Sequence, residues 1–405
     1  MHRIVTDLLA ENKYDGEVRP NIETGQPVVC LVNFRINSMS ALRETSMEYD
    51  MNIYLRLTWN DPRLSFSHMK EYENETYTLS HKQFEKLWIP DVFIKNEKAG
   101  RLHNMIVPNR LMRLFANGDI LFSQRLSLSL ACVLDLVKFP LDNQTCKVTF
   151  ASYGHTTDDL EIIWDYTRWP TTISPSLDVP EFKLIDVTNH NCISKTSTGN
   201  FSCLEAILYF QRKMEYYLIQ VYLPSSLVVV LSWLSFWIDI EAVPARISLG
   251  LLTVLTMSTQ NSDFASQMPR LSYVKAVDVW MVMCLVFVFG ALLEYALVNI
   301  LARKQKPKQD KFLSALVKQA TLTGLQISDK QVPVRRQARL GNSNKIEEET
   351  EIFKENCADD DKEKSNVTEK LNRNRAQFVD KFSRYAFPLS FGLFNLFYWI
   401  YYSYI

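Results

Sequence analysis

Six residues spaced for one helical face carry the clearest chemistry in the chain: Ser248, Leu252, Leu255, Thr259, Ser262 and Ser266, successively four, three, four, three and four apart. On an α-helix that spacing keeps one face for about five turns. Four of the six bear hydroxyls, so in an apolar setting the stripe either packs on other helices or lines water. Several such helices around an axis would enclose a hydrated pore with rings of hydroxyls. Leu252 and Leu255 would then be apolar collars able to exclude water and gate it. Pro244 suits the first turn of a helix, which puts Ala245 and Arg246 at one mouth. The unsatisfied N–H groups and positive dipole end there would favour an anion, and Arg246 would add charge. No carboxylate follows Pro244 until Asp263, although Glu241, just upstream, works against the effect. Catalytic chemistry is not legible. The six histidines, His103 and His155 among them, form no metal-spaced cluster, and there is neither a His–carboxylate–nucleophile set nor a phosphate loop. No metal and no cofactor are expected.

The elements that would hold such a stripe follow from hydropathy. The 405 residues carry 45 Lys+Arg against 45 Asp+Glu, which gives no electrostatic reason to expect nucleic acid. A mean hydropathy near zero suggests a soluble protein, but it averages polar and apolar halves. Uncharged runs cover residues 216–238, 247–262, 279–293 (continuing past Glu294 to about 302) and 385–405. About 20 apolar residues in a helix cross a bilayer. The first and last runs meet that length, and the third does if Glu294 faces other helices. The second, rich in Ser and Thr, is a poor span alone. Any one run could be a buried core helix; four in this arrangement predict a transmembrane bundle. Arg303, Lys304 and Lys306 follow the third run and place that loop in the cytoplasm. Counting back puts the N-terminal region outside, and a fourth crossing puts the C-terminus outside too. The expected division is 1–214 outside, 215–302 as three crossings with the pore helix at about 244–266, 303–381 in the cytoplasm, and 382–405 as the last crossing.

The N-terminal region reads as many short strands. In residues 51–59, Met51, Ile53, Leu55, Leu57 and Trp59 alternate with Asn52, Tyr54, Arg56 and Thr58, one face buried and one exposed. Residues 120–130, 147–152 and 207–213 read alike, and the whole predicts an all-β, immunoglobulin-like antiparallel sandwich. Cys132 with Cys146, and Cys192 with Cys203, are candidate disulfides for an oxidising compartment, leaving Cys30, Cys284 and Cys357 as free thiols. Sequons at Asn74, Asn143 and Asn200 agree with an outside location; the one at Asn366 falls on the cytoplasmic side. The topology needs a signal peptide and none is read before His2, so the numbering is expected to start near a mature or engineered N-terminus. Residues 303–376 are Lys-rich with acidic runs and are expected to be mostly unstructured, with a short helix over 310–319. The charged approach over 363–381 is expected to be helical.

A set of motifs then points to a family. Cys132 and Cys146 enclose Phe139-Pro140-Leu141-Asp142, with Trp88-Ile89-Pro90-Asp91 upstream. Further on come Tyr216-Tyr217-Leu218-Ile219-Gln220, Leu231-Ser232-Trp233, Pro244-Ala245-Arg246, Ser272-Tyr273-Val274-Lys275-Ala276 and Ala291-Leu292-Leu293-Glu294-Tyr295. The chain closely resembles the Cys-loop pentameric ligand-gated ion channels. Within them it is similar to the anion-selective branch that holds glycine-gated and invertebrate glutamate-gated chloride channels. The Cys192 and Cys203 pair around Thr198-Gly199-Asn200-Phe201 points the same way. The likeness covers nearly everything except residues 1–10 and about 305–375.

The resemblance implies a homopentamer, or a heteropentamer with related subunits, in the lipid of a plasma membrane, with a postsynaptic location, conducting chloride. A small-molecule agonist would bind between neighbouring extracellular domains. Phe93, Ser152, Tyr153, Thr198 and Phe201 match the principal face of such a site; Tyr54, Arg56, Leu121, Ser123 and Arg125 match the complementary face. An amino-acid transmitter needs a guanidinium for its carboxylate and aromatic faces for its ammonium. Arg56 and Tyr54 stand at i and i+2 on one strand face, and Ser123 can add a donor from a neighbouring strand. Coupling to the gate is implied for Phe139, Pro140, Asp142, Arg212 and Lys275, with Asp142 and Arg212 as a partly desolvated pair.

Departures from the pattern leave the transmitter open. Where glutamate-gated relatives carry a second arginine stands Asn37, with Arg35 two residues away on the same face; Ala151 replaces an acidic residue of the glycine-gated group. Leu252 replaces a usual Thr, which should lengthen the apolar constriction and weaken plant-toxin block. The outer end lacks a basic residue near Ala265, with Asp263 close by, so low conductance is expected. The leading expectation is a chloride channel opened by glycine or glutamate; the alternative is an anion channel of the same fold gated by protons, zinc or a biogenic amine.

Overall fold

The computed structural model describes residues 2–10, 12–67, 75–303 and 343–404; Asn74, the Lys-rich residues 304–342 and the helix expected over 310–319 lie outside the described residues. The chain forms two compact units, Met1–Gln220 with Asp263–Val279, and Val221–Ser262 with Trp280–Ile405.

The first unit is a β-sandwich with a short helix at each of two places, α1 (His2–Leu8) and α2 (His81–Phe84). Its strands are β1 (Val28–Met39), β2 (Glu48–Asn60), β3 (Thr76–Thr78), β4 (Val92–Ile94), β5 (Glu97–Leu102), β6 (Arg110–Phe115), β7 (Asp119–Ala131), β8 (Asn143–Ser152), β9 (Leu160–Trp164), β10 (Thr171–Ile173), β11 (Phe182–Thr196) and β12 (Gly199–Arg212). One sheet runs β10-β1-β2-β7-β6-β3, with β5 on β7 and β9 on β1; the other runs β11-β12-β8-β4. The alternation read in β2 is the burial pattern: Met51, Ile53, Leu55, Leu57 and Trp59 face the core. Phe34, Phe150 and Trp164 meet there with ring centroids 5.3 to 6.1 Å apart. Gly118 turns the chain between β6 and β7 at φ +90, where a Cβ would sit 2.7 Å from the Asp61 carbonyl oxygen. Only glycine tolerates both the left-handed backbone and that approach. Cys132 and Cys146 are bridged, as are Cys192 and Cys203, which face each other across β11 and β12. Cys30 and Cys284 are free and buried.

The second unit contains most of four helical segments. The first begins with α3 (Glu215–Tyr217) and a π turn at Leu218–Tyr222, continues as α4 (Leu223–Trp233), and ends in a 3-10 turn at Leu234–Trp237. The others are α5 (Val243–Ser266), α6 (Ala276–Arg303) and α7 (Ser343–Tyr404). Two stretches, Glu215–Trp237 and Ala276–Leu301, are by themselves long and apolar enough to cross a membrane. Large apolar side chains such as Leu227, Val286, Phe289, Leu389 and Phe397 are exposed along α4, α6 and α7, as a lipid-facing surface requires. Inside, Trp280 donates to Ser225 (2.9 Å), Tyr222 and Tyr398 share a hydrogen bond of 2.8 Å, and the Trp280 ring lies 5.1 Å from that of Tyr398. The unstructured stretch expected over 303–376 is not what residues 343–376 form; they continue the last helix without a break.

Arg246, Gly250, Thr253 and Met257 form the buried face of α5. A Cβ on Gly250 would come within 2.7 Å of Leu292, so α5 packs closely on α6. Arg246 was expected to add charge at a pore mouth. Instead its side chain is 1% exposed and ion-paired with Asp380 (2.7 Å). Its remaining donors bond the Ile238 carbonyl. A guanidinium taken out of water needs such partners, so its charge is neutralised inside the unit. Removing one partner of a buried pair costs about 3–5 kcal/mol. Asp380→Ala is therefore expected to lower the thermal midpoint of the detergent-solubilised protein, read by size-exclusion chromatography after heating, with Asp380→Asn intermediate.

Candidate functional site

The register of β1, β2 and β7 builds the first surface. Asn33 faces Arg56, which faces Ser123; Arg35 faces Tyr54, which faces Arg125; Leu31 faces Thr58, which faces Leu121. Because alternate residues of a strand share a face, these rows make one half-buried outer patch. The structure thus brings together Tyr54, Arg56, Leu121, Ser123 and Arg125. Arg125 Nε donates to Asn52 Oδ1 (3.1 Å), and its guanidinium carbon lies 5.9 Å from the Tyr54 ring centre. Arg56 Nη1 makes one long hydrogen bond, to Asn33 Oδ1 (3.4 Å). Among the described residues no carboxylate is ion-paired with Arg35, Arg56 or Arg125, and the nearest acid the hydrogen bonds trace, Asp165, is separated from Arg56 by the Asn33 amide. The patch is bordered by His103, within 3.0 Å of Asn52 and 2.8 Å of Ser127. Burial, then the charges of Arg125 and Arg101, hold its pKa below the ordinary histidine value.

The second surface lies on the other sheet. Phe93 on β4 and Tyr153, just past β8, are both exposed and meet edge to face with centroids 5.7 Å apart. Asp91 organises the loop: one carboxylate oxygen accepts from the Tyr153 N–H (3.1 Å) and the Gly154 N–H (2.5 Å), the other from the Ser152 hydroxyl (2.8 Å). Ser152 is buried and its hydroxyl lies 2.8 Å from both Asp91 Oδ1 and the His155 carbonyl oxygen, so that hydroxyl holds the loop. Thr198 is exposed at the tip of the β11–β12 hairpin, 2.9 Å from the Thr196 hydroxyl. Phe201, matched to the principal face, is only 9% exposed, whereas Tyr153 is 78% exposed and carries the open aromatic face. Asn143 and Asn200 are exposed.

A buried charge cluster occupies the end of β12. Arg212 donates to Asp142 (2.7 and 3.2 Å) and to Glu44 (2.6 Å), and its guanidinium carbon lies 4.5 Å from the Phe139 ring centre and 4.3 Å from that of Phe182. Burial alone would lower the Arg212 pKa, but the hydrogen bonds and charge of Asp142, with Tyr217 and Glu44, outweigh it and raise the value. The loop before Pro140, whose bond to Phe139 is cis, also carries backbone contacts to the α5–α6 connection. Ala276 N–H donates to Val137 O (2.9 Å), Val277 N–H to Phe139 O (3.1 Å), and Tyr273 OH accepts from Leu136 N–H (3.2 Å). Lys275 pairs with Asp278 (2.9 Å). The five residues expected to couple are therefore two contact groups in one compact unit, joined through Phe139.

On α5, Ser248, Leu252, Leu255, Thr259, Ser262 and Ser266 are all exposed in the single chain, opposite the buried face. Ala245 is exposed as well. Glu241, expected to oppose an anion, is 2.9 Å from Arg373, an exposed pair of small energetic weight.

Residues 1–214 match the model of the neurotransmitter-gated ion-channel ligand-binding domain, and residues 221–376 match that of the neurotransmitter-gated ion-channel transmembrane region. The chain belongs to the neurotransmitter-gated ion-channel family. Its members are membrane channels and not enzymes, and the family implies a pentamer opened by a small-molecule agonist. The channel's bridged Cys132–Cys146 loop encloses Phe139, Pro140 and Asp142. Sequence reasoning missed Asp91, Asn33 and Asp380 as organising residues. Asp91 was visible only as the last member of Trp88-Ile89-Pro90-Asp91, and Asp380 as one charge in a charged helix.

Losing a hydrogen bond to a charged group costs about 1.5–3 kcal/mol, roughly tenfold or more in an equilibrium. Asp91→Ala releases three such bonds around Tyr153. The half-activation concentration of the channel's agonist is expected to rise at least about tenfold, with surface labelling unchanged.

Proposed function

We propose that the chain is a subunit of a chloride channel opened by glycine or glutamate bound between neighbouring subunits. The observation that carries this reading is the patch of Arg35, Arg56 and Arg125, none of them ion-paired with a carboxylate among the described residues. A guanidinium with free donors suits a carboxylate bidentately, and a site this positive suits one more than an amine. The exposed Tyr153 and Phe93 rings suit the ammonium end. Because one chain carries both surfaces, a homopentamer would complete five sites; a heteropentamer with related subunits would use the same two faces. Three arginines in adjoining rows favour the dicarboxylic amino acid over glycine.

Anion selection rests on the α5 N-terminus, with the positive end of its dipole and Pro244 in the first turn. Arg246 contributes to packing and not to that field. Leu252 and Leu255 are the proposed collars of the gate and the hydroxyl residues its wetted wall. The reading also takes both termini to be extracellular at a plasma membrane, postsynaptic in a nervous system, with glycan at Asn143, Asn200 and Asn74.

The test is expression of the chain alone in oocytes with glycine and glutamate applied in turn. Arg56→Ala is expected to abolish the response, or to raise half-activation by about a hundredfold, at normal surface expression. Currents with unchanged half-activation would refute the carboxylate assignment. Replacing external chloride should move the reversal potential, and Leu255→Ser should leave a standing leak or ease opening.

A further inference from the structure

Arg56 is held by a neutral side chain behind which stands a buried acid. Asn33 is 1% exposed, and its amide bridges two groups: Nδ2 donates to Asp165 Oδ2 (3.0 Å) while Oδ1 accepts from Arg56 Nη1 (3.4 Å). The fold makes this bridge. Asn33 faces Arg56 across β1 and β2, and β9 runs parallel beside β1 with Val32 opposite Trp164, so the residue after β9, Asp165, arrives next to Asn33. Asp165 is 2% exposed. Its Oδ1 is already used by the Thr167 hydroxyl (2.5 Å), the Thr167 N–H (3.1 Å) and the Arg168 N–H (3.3 Å). Its Oδ2 has the Asn33 amide.

A buried carboxylate oxygen with a guanidinium one amide away is an electrostatic trap, because opposite charges attract far more strongly in a low dielectric than in water. We propose that Asn33 is a positioning residue that keeps Arg56 available to a ligand carboxylate by standing between it and Asp165. The amide passes orientation from Asp165 to Arg56 without passing neutralisation. It satisfies Oδ2 and presents only a carbonyl dipole to the guanidinium, whose remaining donors stay free. Without the amide, Arg56 swings back to pair with Asp165, and agonist binding must break that pair. The inference rests on the proposed role of Arg56 in binding a carboxylate.

The test is a double-mutant cycle on the full channel, with glycine and glutamate as probes and surface labelling as a control. Asn33→Ala is expected to raise half-activation about tenfold or more. Asp165→Asn keeps the Oδ1 acceptor and the turn and removes the charge, but its amide would meet that of Asn33 donor to donor, so the reference is the unsubstituted channel: in the Asn33→Ala background Asp165→Asn is expected to restore half-activation to within about threefold of it. A residue that only supports the strand would show additive losses, with no rescue, and that result overturns the inference. If Asn33→Ala fails to reach the surface, Asn33→Ser, which keeps a small polar group in the buried position, takes its place in the same cycle. Arg56→Ala separates the two levels. Loss of response to Arg56→Ala without rescue in the cycle rejects only the role of Asn33; unchanged half-activation in Arg56→Ala rejects the ligand reading itself, and the role of Asn33 with it.

Discussion

The pairing register of β1, β2 and β7 is the constraint from which the rest of the candidate site follows. It aligns Asn33, Arg56 and Ser123 in one row and Arg35, Tyr54 and Arg125 in the next. A slip of one residue in β2 would send Arg56 into the core and Leu55 or Leu57 into water. The register is held from both sides. On the core side it is held by the aromatic packing around Phe34, Phe150 and Trp164, and at the β6–β7 turn by a glycine that no other residue can replace without a clash. Positive charge on the outer face is thus set by hydrophobic packing on the inner one.

Two buried arginines show how differently the same side chain is used elsewhere. Arg212 and Arg246 each lie out of water, each bound to a carboxylate on a distant part of the chain, Asp142 in one case and Asp380 in the other. Such pairs contribute little net stability over an apolar replacement, yet they are costly to break. Their effect is to fix which segments lie together: the Cys132–Cys146 loop with the end of β12, and the start of α5 with α7. Arg56 is the contrast. Its hydrogen-bond partner is a neutral amide, and among the described residues no carboxylate is ion-paired with it.

The α5 helix divides its residues by the same logic. Gly250 and Met257 lie on the buried face, where a Cβ at Gly250 would already clash with Leu292 of α6. Ser248, Thr259, Ser262, Ser266 and the two leucines Leu252 and Leu255 are left exposed by the described residues of their own chain. In a family whose members are pentamers, a uniform uncovered face on each copy is what a ring of like helices needs around its axis.

Local pattern was enough for much of this. Period-two alternation announced β2, and apolar length announced the first membrane helix, and the third on the condition that Glu294 faced other helices, whereas the last run, expected to be long enough by itself, is not among the two stretches apolar enough alone. The hydroxyl stripe was legible because a helical face depends only on spacing. Pairing across the chain was not legible. No local signal says that Arg246 meets Asp380 and not a pore mouth, that Ser152 gives its hydroxyl to Asp91, that Phe201 is covered, or that Asn33 stands between Arg56 and Asp165. Each of these turns on which charge or donor is brought near a buried group by folding. Desolvation makes that choice unequal, and only the tertiary structure determines which partner is close enough to take it.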